Sequence, residues 1–315
     1  MRFMSFRLLW PLLAAPLCFS ADLKLGFIGT DTSHVIAFTK VLNDPSNADH
    51  IAGAKVVAAF KGGSPDVESS ANRVEGFAKE LSGKWGVEIV PSIGALCGKV
   101  DAILLESVDG RAHLPQAREA AKCGKPMFID KPLASTLEDA REIARVLKAA
   151  RVKWFSTSSL RYGEVAVDMK APDMTGVIVW GPGPVEEHHK LSLTWYGIHA
   201  VEILYTLLGP GAEEVTMVST PDSDEVTAKW KGGKIGTVRT IRPYSEFGGV
   251  VFRAKSVSPS GAKTKSSYVP MLREIVKFFQ TGVVPVPNEE TLEMFAFMDA
   301  AERSKTHGGA PMKLR

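Results

Sequence analysis

The sequence predicts an α/β fold: an N-terminal, doubly wound parallel sheet followed by an α+β domain with an open, mainly antiparallel sheet. Three observations carry this. Apolar strands alternate with amphipathic helices from about residue 22 to residue 156. Near Trp154 that alternation gives way to closely spaced strands with period-two patterning. Between them, Phe128-Ile129-Asp130-Lys131-Pro132-Leu133-Ala134 reads as a strand that stops at a charged pair, where Pro132 bars continuation into a helix and restricts Lys131 to extended geometry. Lys131 is thereby held at the carboxyl end of a strand, where open α/β sheets bind ligands.

The chain has 315 residues, 45% hydrophobic and 23% charged, enough for a large core and, by length, two domains. A formal net charge of +3 with no lysine/arginine run gives no ground for a nucleic-acid partner, so a small molecule is the expected ligand. Residues 1–21 read as a secretory signal: Arg2 and Arg7 precede the apolar stretch Leu8 to Ala15, and Cys18, Ser20 and Ala21 follow. The run is too short for a membrane span, so none is expected after the signal is removed, and export to the periplasm or outside is expected. Cys97 and Cys123 would then be the only cysteines left, too few to define a disulfide framework.

In chain order, the first domain (22–156) reads as strand Leu23 to Ile28, helix His34 to Asn43, strand Lys55 to Phe60 and helix Val67 to Leu81. Then come strand Ala102 to Glu106, helix His113 to Cys123 closed by Gly124, strand Pro126 to Ile129, helix Thr136 to Ala150 and strand Lys153 to Ser156. Ser135 followed by Glu138 is a capping-box pattern. The second domain (157–315) has strands at Gly176 to Trp180, Glu214 to Ser219, Thr227 to Trp230, Gly236 to Ile241 and Val250 to Lys255, with a Gly232-Gly233 hairpin turn. Helices Tyr268 to Thr281 and Asn288 to Lys305 close the chain.

Asp130-Lys131-Pro132-Leu133-Ala134 after a hydrophobic strand, about a hundred residues past Gly26-x-x-Gly29, resembles the Gfo/Idh/MocA family of nicotinamide-dependent oxidoreductases. The resemblance spans essentially all of the chain past the signal. It implies a Rossmann-like first domain that binds NAD or NADP, and a second domain whose sheet faces the active-site cleft and could pair copies of the chain. It also implies a loop and histidine beside the nicotinamide, at Ser107 and His113. For Gly197-x-His199-x-x-Glu202, similar to the family's Gly-x-His-x-x-Asp, the resemblance implies that His199 acts on the substrate hydroxyl together with Lys131.

The departures are specific. After Gly29 the expected glycines are replaced by Asp31 and His34; Asp31, Thr32 or Ser33 could cap the helix instead, and Asp31 would set a negative charge against the cofactor phosphates. The second strand ends in Phe60-Lys61, with no carboxylate for the ribose, although Lys61 could meet a 2′-phosphate. The position four before His199, often an aspartate, is Trp195. Candidate cofactor contacts are therefore Gly26, Gly29, Thr30, Asp31, Thr32, Ser33, His34, Lys61, Ser107, His113 and Asp130; candidate substrate contacts are Arg161, Tyr162, His189, Trp195, Tyr196 and Glu202, the last able to orient His199. One of His188 and His189 with His199 and a carboxylate would suffice for an ion, but adjacent residues cannot easily share one, and no metal is assigned. The expected activity is hydride transfer on a sugar or polyol. The alternative is an exported relative that binds or cleaves carbohydrate without net redox change.

Overall fold

The structure is a computed structural model that describes residues 21–315; the signal-peptide reading falls on residues 1–20, outside the described residues. Its first half builds a six-stranded, all-parallel sheet. The elements are β1 Leu23–Ile28, α1 His34–Asn43, β2 Ala54–Phe60, α2 Glu68–Ala71, α3 Val74–Trp85, β3 Glu88–Val90, α4 Ile93–Cys97, β4 Ala102–Leu105, α5 Gly110–Ala121, β5 Met127–Asp130, α6 Leu137–Ala149 and β6 Trp154–Thr157. The strand order β3-β2-β1-β4-β5-β6 reverses direction between β1 and β4. That reversal opens a crevice at the carboxyl ends of the strands, the usual ligand position of such sheets.

Most of these elements follow the apolar periodicity. The sheet buries both faces, so β4 and β5 read as unbroken apolar runs (Ala102–Leu105, Met127–Ile129), as parallel strands do. The expected helix from Val67 to Leu81 is instead two helices broken at Asn72 and Arg73, and β3 and α4 went unforeseen because each is only a turn or two long. The α6 cap is one residue later than the capping-box pattern suggests: Thr136, not Ser135, accepts the Asp139 N–H at 3.0 Å.

The second half adds a short 3₁₀ turn Ser159–Tyr162, α7 Glu164–Asp168, β7 Met174–Pro182, α8 Ile198–Leu208, β8 Ala212–Ser219, β9 Ser223–Trp230, β10 Ile235–Ile241, β11 Gly248–Arg253, β12 Val257–Pro259, α9 Tyr268–Thr281, α10 Asn288–Thr306 and β13 Met312–Lys313. Its seven-stranded sheet, β12-β11-β7-β10-β9-β8-β13, is antiparallel except where β10 lies parallel to β7. Gly232 and Gly233, at φ +87° and +86°, make the β9–β10 turn, a backbone conformation that side chains disfavour.

One amphipathic helix ties the halves together. α9 buries Leu272, Ile275, Phe278 and Phe279 against Phe128 and Phe155 of the first sheet, with Phe155 and Phe278 5.1 Å apart edge to face. The opposite face of that sheet is covered by α5 and α6, and its core runs on into α8, α10 and the second sheet. The two walls of the crevice are therefore packed against a shared core.

Cys97, at the end of α4, and Cys123, just past α5, form a disulfide with 5.1 Å between Cα atoms. The pair is thus a single clamp, a possibility that counting cysteines had left aside. With its ends 26 positions apart in sequence, the loop-entropy effect is about 3.5 kcal/mol. The Cys97→Ser/Cys123→Ser double variant is expected to lose roughly that much in urea titration. A loss below about 1 kcal/mol, or two titratable thiols in the native protein, would contradict this.

Candidate active site

A cleft of about 790 Å³ lies between the carboxyl ends of the parallel strands and the second domain, a size in the usual range for small-molecule sites, about 300–1,000 Å³. From the first domain it is lined by Thr32, Ser33 and His34 at the start of α1, by Ser69 and Arg73 around α2, and by Val108 and Lys131. From the second half come Ser159, Trp195, Tyr196, His199, Phe247 and Tyr268, with Tyr244 and Glu246 on the loop before β11.

Lys131 and His199 therefore share one cleft, as expected, although 68 positions separate them. Lys131 directly follows Asp130, the last residue of β5, and precedes a cis bond to Pro132; its Nζ stands 6.0 Å from the centre of the Tyr196 ring. His199, in the first turn of α8, is 7% exposed. Its Nδ1 lies 2.6 Å from Ser158 Oγ, and its ring meets Tyr196 and Phe247 edge-on at 4.9 and 5.9 Å. Burial first, and then the Lys131 charge, push its pKa well below the ordinary value, so the imidazole is neutral at pH 7.

Glu202 does not orient His199. It is buried and accepts from Arg161 Nε at 2.6 Å and from Thr157 Oγ1, while Arg161 Nη2 donates to Glu290 at 2.6 Å. Arg161 and Glu202 thus belong to an internal ion-pair network, not to the cleft. Tyr162 packs beneath α9, and burial raises its pKa. His189 is buried between Asp109 Oδ1 at 3.0 Å and Thr194 Oγ1 at 2.9 Å. Of the expected substrate contacts, Trp195 and Tyr196 line the cleft; Arg161, Tyr162, His189 and Glu202 do not. These four are polar residues near the motif whose partners are other parts of the chain, which spacing alone does not reveal. His188 pairs with Glu186 at 2.5 Å, so it, His189 and His199 have separate partners and do not converge on an ion.

The expected cofactor contacts divide in the same way. Gly26 lies within β1, where a Cβ would come within 2.9 Å of Leu96 and Val100; its role is packing. Gly29, at φ +92°, faces the Ser107 backbone so closely that a Cβ would fall 2.5 Å from its nitrogen. Thr30 is tied to Lys61 O and Val74 O through its hydroxyl. Asp31 does not cap α1. It is fully buried, accepting from Ser70 Oγ at 2.6 Å and from the Val108 N–H at 3.2 Å, and burial raises its pKa. Lys61 is held by Glu75 at 2.5 Å, outside the cleft. Ser107 Oγ donates to Gln116, and His113 is buried between the carbonyls of Ser107 and Leu133, at 2.7 and 3.2 Å. Burial lowers the His113 pKa, and the ring fixes the β4–α5 loop instead of touching a ligand.

Thr32, Ser33, His34 and Lys131 remain in the cleft, joined by Arg73, which sequence reasoning missed because it sits in the break between α2 and α3. The residues left at this end of the cleft suit an anionic group. Ser33 makes no capping bond at the start of α1, where Thr32 Oγ1 accepts the His34 N–H at 3.3 Å, and the exposed Arg73 side chain has no hydrogen-bond or ion-pair partner among the described residues; the remaining N–H groups of the helix start and this cation face an anion from one side. β2 ends in Phe60, followed by Lys61, with no carboxylate at that strand end.

Beneath Lys131, three buried side chains converge: His34 from α1, Glu106 after β4 and Asp130 closing β5. His34 Nδ1 lies 2.8 Å from Asp130 Oδ2 and 3.6 Å from Glu106 Oε2. Burial works against charge on the imidazole, but the two carboxylates outweigh it and raise its pKa to about 9. Burial and the neighbouring Asp130 charge raise Glu106, whereas the His34 charge holds Asp130 down against burial. Single-sequence reasoning placed His34 and Asp130 at the cofactor but did not bring Glu106 to them.

A doubly wound sheet with a basic residue at the carboxyl end of β5, one strand from its switch point, and a second, sheet-built wall define a two-domain scaffold of the dinucleotide-binding type. Residues 24–158 match the model of the Gfo/Idh/MocA family, described as an oxidoreductase family with an NAD-binding Rossmann fold. The chain is 31% identical over 162 residues to inositol 2-dehydrogenase of Paracoccus denitrificans (strain Pd 1222), a stretch covering 49% of this chain and 43% of that enzyme. The matched stretch thus spans less than half the length of that relative. Among solved structures, myo-inositol 2-dehydrogenase from Lactobacillus plantarum superposes with a TM-score of 0.74 at 14% identity, covering 93% of this chain and all of that one. Myo-inositol dehydrogenase from Lactobacillus casei, in complex with NAD(H) and myo-inositol, gives 0.71 at 18% identity, covering 93% and 97%. These likenesses extend the shared fold across both halves.

Proposed function

We propose that the protein is an NAD(P)-dependent oxidoreductase that acts on a polyol or sugar, with Lys131 and His199 as its catalytic pair. The observation that carries this is their convergence, from opposite halves of the fold, on one cleft whose other wall offers a helix N-terminus and Arg73. The relatives named as inositol dehydrogenases support a polyol as the substrate class.

Lys131 supplies a positive charge to the substrate oxygen as it gains alkoxide character. His199 takes the hydroxyl proton: with Nδ1–H donating to Ser158 Oγ, Nε2 is unprotonated and available, and burial keeps the ring neutral. Trp195 and Tyr196 give the apolar surface against which a ring substrate stacks. The nicotinamide, when bound, supplies the hydride acceptor.

Native mass spectrometry of freshly purified protein, looking for retained NAD(P), tests this together with a panel of cyclic polyols and aldoses in the presence of NAD+ or NADP+. Reduced nicotinamide formed with one of them is the expected result. Neither retained nor titratable nucleotide would overturn it. Retained nucleotide without net reduction, but with a changed sugar, would favour the second reading, carbohydrate cleavage without net redox change. That reading draws its support from the altered first turn and the missing ribose carboxylate.

Export belongs to the same proposal. The Cys97–Cys123 disulfide supports it, since such bonds persist in oxidising compartments, and among the described residues no helix is long and apolar enough to cross a membrane. Pairing of copies through the second sheet is supported by exposed Ile178, Val218 and Ile235 on its strands.

A further inference from the structure

The geometry points to a divalent transition-metal site at the floor of the cleft, formed by His34 Nδ1 and the carboxylates of Glu106 and Asp130. The inference does not rest on the redox reading. The three ligand atoms lie within 4.8 Å of one another, and the residues are 9%, 0% and 2% exposed.

Much of the hydrogen-bonding capacity of the cluster is unmet. Both Glu106 carboxylate oxygens and Asp130 Oδ1 are buried without a hydrogen bond, and His34 Nδ1, although 2.8 Å from Asp130 Oδ2, is not aligned to form one. Buried carboxylates are costly unless paired or coordinated. Lys131, the next residue along, makes no ion pair with either carboxylate among the described residues, and its charge acts on them only from a distance. A divalent ion with one neutral imidazole and two carboxylates leaves no net charge.

The spacing also suits a metal. Ligands at about 2.0–2.2 Å in tetrahedral array stand about 3.4 Å apart. The His34–Glu106 separation of 3.6 Å already matches, and His34 and Asp130, at 2.8 Å, need to part by about half an ångström. One nitrogen and two oxygen ligands favour zinc, manganese or cobalt over magnesium or calcium, which prefer oxygen alone. His34 lines the cleft, so a fourth position would open toward it, the arrangement of a catalytic rather than a purely structural zinc site.

Metal-stripped full chain titrated with Zn2+ and, separately, Co2+ provides the test. The expected result is one equivalent bound, visible d–d bands for Co2+, and a raised melting temperature. Glu106→Gln and Asp130→Asn should each weaken binding by about a hundredfold or more while circular dichroism stays native, and His188→Gln, at the half-buried pair with Glu186 away from the cluster, should leave it unchanged. The Co2+ spectrum needs no variant, so a variant that fails to fold does not decide the matter. No saturable binding to the wild type, or one-to-one binding that survives Glu106→Gln, would overturn the site.

Discussion

Replacing Lys131 by Met should lower kcat/KM on the polyol or sugar found for this protein by about a hundredfold or more. Methionine keeps most of the side-chain length and removes the charge, so the loss reports stabilisation of developing negative charge and not packing. Lys131 is half-buried and has no ion-pair partner among the described residues, so the fold does not depend on it, and the melting temperature should stay close to wild type. A second readout separates electrostatics from shape. The Lys131 charge is the second cause, after burial, of the depressed His199 pKa. Without it, that pKa rises toward its ordinary value. The base would then gain its proton at a higher pH, and the acid limb of the kcat/KM profile should move upward. His199→Asn should abolish that limb and cost a comparable factor. Full activity in a folded Lys131→Met protein would show that this pair does not perform the chemistry.

Much of this site was legible in the chain itself. Lys131 could be placed because Pro132 and the apolar run before it fix a strand end, and His199 because Ile198, Val201, Leu204 and Leu208 define a helix that starts beside it. The boundaries of α1 and α9 follow from periodicity because each buries one apolar stripe on the parallel sheet. What could not be read is which polar residues satisfy one another. Asp31 meets Ser70 across 39 positions, His189 meets Asp109 across 80, and Arg161 meets Glu290 across 129. Sequence spacing carries no trace of these pairings, so side chains near a motif were assigned to ligands when the chain itself had claimed them. Arg73 was missed for the opposite reason. It lies in an irregular break, where periodicity gives no direction, yet it and Lys131 are the lysine and arginine side chains that line the cleft.

Arg161 is where that internal pairing should have its largest effect on stability. Its guanidinium joins the 3₁₀ turn after β6 to Glu202 on α8 and Glu290 on α10, each at 2.6 Å, with side chains only 13%, 2% and 12% exposed. Arg161→Met would leave two carboxylates buried close together with no cation. Breaking a buried pair by removing one partner costs roughly 3–5 kcal/mol, because the remaining charge is uncompensated. Urea titration at neutral pH should show a loss of that size. Adding Glu202→Gln should return part of it, since one orphaned charge is then removed, whereas Arg161→Lys keeps the charge but cannot reach both carboxylates in the same planar geometry. The same turn carries Ser158, which holds His199, and Ser159, which lines the cleft. Arg161→Met should therefore also lower turnover, although the residue touches no substrate, and the doubly substituted Arg161→Met/Glu202→Gln protein should recover stability more than activity. A stability loss below about 1 kcal/mol for Arg161→Met would show that water, and not the ion pair, satisfies these carboxylates.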